Sequence, residues 1–210
     1  MNSETPVTRR EQKERTRIAL LDAALRLLEG KSFGSLGLRE VTREAGVVPT
    51  AFYRHFDSME ELGLALIDDS FRTLRRMIRD ARSETLAYGD VIRSSAEILV
   101  RHVHAHQLHF RFVARERSSG VPALRQAIRA EIRLFSSELA TDLARFPYLD
   151  RWSTEDLGVL ATLIVNTMVS TAEAIVDAPS GRPEVEEEIV RNAEKQLRLI
   201  ALGVPSWRSR

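Results

Sequence analysis

The chain has 210 residues, 43% hydrophobic but only 6% aromatic, and its 31 Lys and Arg nearly balance 30 Asp and Glu. The near-neutral balance excludes a polycation or an acidic disordered tail, and the length fits one large domain or a small domain joined to a larger one. With no Cys, a disulfide framework, a thiolate zinc site and a Cys nucleophile are excluded together, and a reducing, cytoplasmic setting is expected. The charged first thirty residues read as no secretory signal, and the apolar run 157–168, broken by Gly158, Thr162, Asn166 and Thr167, reads as too short for a membrane span. Arg outnumbers Lys 28 to 3. That bias suits phosphate and guanine contacts, although a GC-rich coding sequence is the plainer account of it.

Helical periodicity fills the chain, and no strand alternation or hairpin signal occurs. Ile18, Leu21, Leu25 and Leu28 mark the inner face of a first helix, which ends at Gly30. Residues 36–45 predict a second helix with Leu38, Val41 and Ala45 inward, followed by Gly46 as a turn residue. Val47–Phe56 predicts a short third element, with Pro49 tolerated in its first turn. Asp57 or Ser58 caps a long fourth helix carrying Ile67, Phe71, Leu74 and Ile78 on one stripe. After Tyr88-Gly89 a fifth helix carries Ile92, Ala96, Leu99 and Val103, and a sixth spans Leu108–Glu116. Pro122 opens a seventh with Leu124, Ile128, Ile132, Phe135, Leu139 and Leu143 inward, stopped at Phe146-Pro147. Ser153 or Thr154 caps an eighth, and about Glu184–Leu202 forms a ninth. The expected fold is all-α, with a DNA-binding unit at 1–57 and a larger helical unit at 58–210.

Helices two and three, joined through Gly46, have helix-turn-helix dimensions. Pro49, Thr50, Tyr53 and His55 stand on or beside the exposed face of helix three, while Phe52 and Phe56 turn inward. Leu38-Arg39-Glu40-Val41-Thr42-Arg43-Glu44-Ala45-Gly46-Val47, then Thr50-Ala51-Phe52-Tyr53-Arg54-His55-Phe56, resembles the TetR family of one-component repressors. The resemblance spans roughly residues 12–65. It implies a homodimer whose first three helices bind palindromic operator DNA and whose remaining helices bind a small molecule. On this likeness Val48, Pro49 and Thr50 offer apolar contacts to base edges, and Tyr53 and His55 hold backbone phosphates. Arg54 reaches a base edge or a phosphate, and Thr42 and Arg43 flank the groove. Arg9, Arg10 and Lys13, with Arg15 and Arg17, form a basic arm. Many relatives place a Lys near position 59; Met59 stands here.

Residues 45–56 with Glu61-Leu62-Gly63-Leu64, Phe110-Arg111, Arg115-Glu116-Arg117-Ser118 and Arg129-Ala130-Glu131-Ile132 are similar to the FabR and DesT repressors of unsaturated fatty acid synthesis. That likeness implies a long-chain acyl thioester of coenzyme A or acyl carrier protein as effector, with no other cofactor. Leu66, Leu74, Met77, Ile78, Leu99, Val103, Phe110 and Phe112 are the candidates for its chain, and Arg111, Arg115 and Arg117 for its phosphates. The alternative is a repressor of an efflux or catabolic operon answering to another hydrophobic molecule.

Helix eight is apolar nearly all round and needs partners on both sides. Leu160, Ile164, Met168 and Ile175, with Ile189, Ala193, Leu197 and Ile200 of helix nine, are the expected two-fold interface. His102, His106 and His109 share a helix face at a spacing zinc tolerates, but no Cys joins them, so no metal site is expected and they read as a polar helix end. The sequence has no HExxH or GxGxxG, and Gly30-Lys31-Ser32 lacks the first glycine of a P-loop, so no enzyme is expected.

Overall fold

The computed structural model describes residues 8–83, 91–118, 120–179 and 181–209, with the backbone alone at 77–83. The described residues form helices α1 (Arg9–Leu27), α2 (Leu38–Glu44), α3 (Pro49–Phe52), α4 (Met59–Ser83), α5 (Val91–Ala105), α6 (Gln107–Glu116), α7 (Pro122–Leu143), α8 (Thr154–Asp177) and α9 (Pro183–Gly203). Short 3₁₀ turns lie at Phe33–Ser35 and Val204–Ser206. The all-helical expectation holds throughout the described residues. Met77 and Ile78, expected to line an effector site, have side chains outside them.

Local chemistry sets the boundaries. Thr8 accepts from the Glu11 N–H while Glu11 accepts from the Thr8 N–H, a reciprocal cap that starts α1. The Thr8 N–H and the Thr8 hydroxyl hold the Glu11 carboxyl below its ordinary range. Ser58 Oγ accepts from the Glu61 N–H at 3.1 Å ahead of α4, and Ser153 Oγ from the Asp156 N–H at 3.2 Å ahead of α8. Pro122 and Pro183 each sit at the first position of a helix.

Three apolar clusters hold the molecule. The first joins Leu20, Leu21, Ala24, Leu25 and Leu28 of α1 and its end, Val41 and Phe52, Leu62, Leu66, Ile67 and Phe71 of α4, Phe112 of α6, and Leu124 and Ile128 of α7. It therefore runs across position 57, where the sequence had placed a domain boundary: the chain turns there, the core does not. Leu21, Leu25 and Leu28 are buried as expected, whereas Ile18 is 47% exposed and Leu20 and Ala24 complete the inner face of α1. The second cluster packs Val103 against Ala172, Ile175 and Val176, and the third packs Leu149 against Leu157 and Leu160.

Helix α8 is longer and more apolar than the broken run had indicated: 24 residues, with a mean hydropathy of 1.7 in its most apolar window. It packs on α5, α6, α7 and α9, and its inner face enters both smaller clusters.

Candidate nucleic-acid interface

Helix α2 ends in a left-handed turn. Gly46 has φ +68°, the Val47 N–H donates to the Thr42 carbonyl at 2.9 Å, and the Gly46 N–H donates to the Arg43 carbonyl at 3.1 Å. These two bonds satisfy carbonyls that the helix end would leave orphaned, and they fix the angle at which α3 departs. Pro49 starts α3 with its φ already set. The chain then continues in tight turns, with the N–H groups of His55 and Phe56 donating to the Phe52 carbonyl at 2.9 and 3.0 Å.

Two phenylalanines anchor this short element. Phe52 and Phe56 are buried, their rings 5.6 Å apart, and the Arg17 guanidinium lies over Phe56 at 5.2 Å. The opposite face is left to solvent: Val48 is 64% exposed and Tyr53 61%, with Pro49, Thr50 and Arg54 also exposed. Tyr53 stands edge-on to Phe52 at 5.6 Å, which holds its phenol outward.

His55 is partly buried, and its Nδ1 lies inside without a hydrogen-bond partner. Burial pushes its imidazole below the usual histidine range, and Lys13, Arg17 and Arg54 push the same way against Glu14. The neutral tautomer that avoids an orphaned buried N–H carries its proton on Nε2, a donor suited to a phosphate oxygen. The same three cations make the surroundings attractive to an anion.

Several expected contributors lie elsewhere. Thr42 is buried, and its hydroxyl donates back to the Leu38 and Arg39 carbonyls at 3.1 and 3.3 Å, so it does not flank a groove. Arg43 is exposed on α2, as is Arg39, which the sequence reading had left out. Arg9, Arg10 and Lys13 are exposed but belong to the first turns of α1, not to an extended arm, because the Thr8–Glu11 cap closes the helix ahead of them. Met59 packs against the first cluster.

The expected effector residues do not gather on one wall. Leu66 and Phe112 are buried in the first cluster with Leu74 beside it, whereas Leu99, Val103 and Phe110 pack in the second. The three arginines are already engaged. Arg111 pairs with Glu29 at 3.1 Å, Arg117 pairs with Glu173 at 2.7 Å, and Arg115 donates to the carbonyls of Leu28, Glu29 and Lys31. Spacing alone had shown that α6 is basic; it could not show that the base of α1 would present carbonyls to it. A polar cleft of about 390 Å³ lies between α6 and α8, bounded by Arg111, Arg115, Ser118, Glu173 and Asp177.

The expected dimer stripe requires a correction. Leu160, Ile175, Ala193 and Leu197 are buried within the protomer, and Ile164, Ile189 and Ile200 pack against its own clusters. Met168 is half-buried. The free apolar face is the other one: Val159 and Leu163 on α8, Leu199 and Leu202 on α9, at 54, 49, 70 and 73% exposure. A helix apolar on all sides offers two stripes of equal periodicity, and only the packing of α5 and α7 shows which is taken.

Among the described residues no three metal-ligating groups gather. His104 Nε2 pairs with Glu186 at 2.8 Å, and His109 Nδ1 meets Ser70 Oγ at 3.0 Å. His109 is pushed below the usual range by burial and by His106, against Asp69 and Asp22.

The geometry agrees with comparisons to known proteins. Residues 20–66 match the model for bacterial regulatory proteins of the tetR family, and residues 88–202 match the tetracyclin repressor-like C-terminal domain. A TetR-family transcriptional regulator from Streptomyces coelicolor is similar in structure (TM-score 0.67, 24% identity, 89% of this chain and 96% of that one). The fatty acid degradation regulator FadR from Bacillus halodurans is similar over 100% of both chains (TM-score 0.67, 13% identity). FadR from Bacillus subtilis, solved with stearoyl-CoA, is similar over 87% of this chain and 96% of that one (TM-score 0.64, 16% identity).

Proposed function

Because this chain belongs to the TetR family of bacterial regulatory proteins, we propose that it is a cytoplasmic, homodimeric repressor of fatty acid synthesis or desaturation genes, released or recruited by long-chain acyl thioesters. The observation that carries its DNA-binding half is the two-sided build of α3: Phe52 and Phe56 are locked inward, leaving Pro49, Thr50, Tyr53 and Arg54 free to meet a major groove. Tyr53, His55 and nearby cations hold phosphates, and Val48, Pro49 and Thr50 touch base edges. Two copies joined through Val159, Leu163, Leu199 and Leu202 present two such helices, and two-fold symmetry then calls for a palindrome with half-sites roughly 34–36 Å apart.

The lipid half rests on the likeness of 110–118 and 129–132 to the FabR and DesT repressors, with the FadR folds as weaker support. An acyl chain would part the seam between the two apolar clusters, near Leu99, Val103 and Phe110 on one side and Leu66, Leu74 and Phe112 on the other. Each methylene buried gains about 0.8 kcal/mol. Saturated and cis-unsaturated chains bury similar area, so discrimination comes from the bend pressed against a solid-like wall. Operator affinity measured with palmitoyl-CoA and with palmitoleoyl-CoA tests this. A change of roughly 5–150-fold, unequal for the two, is expected; an equal response, or none, overturns the lipid reading. Tyr53→Ala is expected to weaken operator binding at least about tenfold while the dimer persists. Loss of the dimer in that variant would mean that Tyr53 is misassigned.

A further inference from the structure

We propose that Glu116 is a positioning residue through which the C-terminal helices fix the orientation of the helix-turn-helix; this rests on reading α3 as the DNA-recognition helix. Glu116 closes α6 and is fully buried. Its Oε1 accepts from the Phe33 N–H at 2.8 Å, across 83 residues of chain. Its Oε2 is buried with no partner. Burying a carboxylate for a single hydrogen bond is costly, and a leucine would fill that space without the cost. The acceptor therefore serves Phe33, whose N–H opens a 3₁₀ turn and has no backbone acceptor of its own.

Phe33 is held from a second side. Its ring is 4% exposed and lies flat on Gly63 of α4, so close that a Cβ there would stand 2.6 Å from a ring carbon. Helix α6 thus grips the backbone of Phe33 while α4 seats its side chain. Beside Glu116, Arg115 donates to the carbonyls of Leu28, Glu29 and Lys31, all in the link between α1 and α2. Helix α2 begins five residues after Phe33 and carries α3 with it. Any displacement of the last turn of α6 is delivered to this link. The exposed Arg115 can change partners as α6 moves; the buried carboxylate has none to change to.

The test uses the full-length protein and a duplex selected from a randomised pool. E116Q keeps the acceptor and shape, and E116L keeps the bulk alone. E116Q is expected to bind within threefold of wild type. E116L is expected to bind at least tenfold more weakly, with hydrogen exchange accelerated at least tenfold across both 31–36 and 38–52, at unchanged helicity and dimer mass. Wild-type affinity in E116L overturns the proposal, as does an E116Q that falls as far as E116L. If E116L does not fold, G63A replaces it by pressing on Phe33 from α4; a tenfold loss of affinity supports the proposal and wild-type affinity overturns it. If the wild type binds no duplex, the DNA reading fails and exchange alone decides: acceleration reaching 38–52 supports a positioning role, and acceleration confined to 31–36 refutes it.

Discussion

The helix-turn-helix and the α8–α9 pair both leave apolar or aromatic residues in solvent, yet they do so by opposite routes. In α3 a few residues with fixed geometry, Gly46, Pro49, Phe52 and Phe56, dictate one outward face. In α8 apolar side chains lie on more than one face, and the outward apolar face is whatever the rest of the bundle fails to cover. The first design reads from local rules, whereas the second emerges from tertiary packing.

The contrast breaks most sharply under truncation. Phe52→Ala is expected to cost about 3–5 kcal/mol of stability in urea melts, because its pocket is closed on all sides. Leu197→Ala and Leu199→Ala, neighbours on α9, separate the two stripes. Leu197 is 7% exposed and its loss is expected to cost about 2–4 kcal/mol, whereas Leu199 is 70% exposed and its truncation is expected to cost the protomer under about 0.5 kcal/mol. Leu199→Glu is then expected to give a folded monomer by sedimentation; a dimer that survives it would move the interface off this face. Gly46→Ala places a Cβ on a backbone with φ +68° and is expected to cost about 1–2 kcal/mol, although the space around it is open.

A graded effect is expected in pH. Burial lowers His109 from its ordinary value, so the unfolded chain takes up its proton first as pH falls. The stability it contributes is whole above about pH 6.5 and declines below that, until pH passes its depressed folded value, at no more than about 1.4 kcal/mol per pH unit. Urea melts of His109→Gln between pH 7.5 and 5 are expected to show a shallower decline than wild type; an identical slope assigns the acid sensitivity to other groups.

These differences explain what the sequence could convey. The order of the helices was legible because capping serines, Gly46 and three prolines punctuate them locally. The exposed face of α3 was legible because Phe52 and Phe56 lie four apart, flanking Tyr53. Thr42 was misread because a threonine within a helix gives no sign of whether its hydroxyl faces out or returns to its own backbone. The α8–α9 stripe was misread because two faces carried the same period. Arg111, Arg115 and Arg117 were offered to a ligand's phosphates because their actual partners lie 56 to 87 residues away. One clue went unused: Gly63, inside a long helix where glycine is costly, marks the close approach of another group, here Phe33.

Because the first cluster runs unbroken from α1 to α7, this protein is a poor candidate for modular engineering by a cut at its apparent hinge. A chimera that grafts its reading head onto another sensor severs Phe33 from both Gly63 and Glu116. Such a hybrid is expected to fold in halves that no longer communicate, unless the recipient supplies the same glycine and the same acid at the matching places.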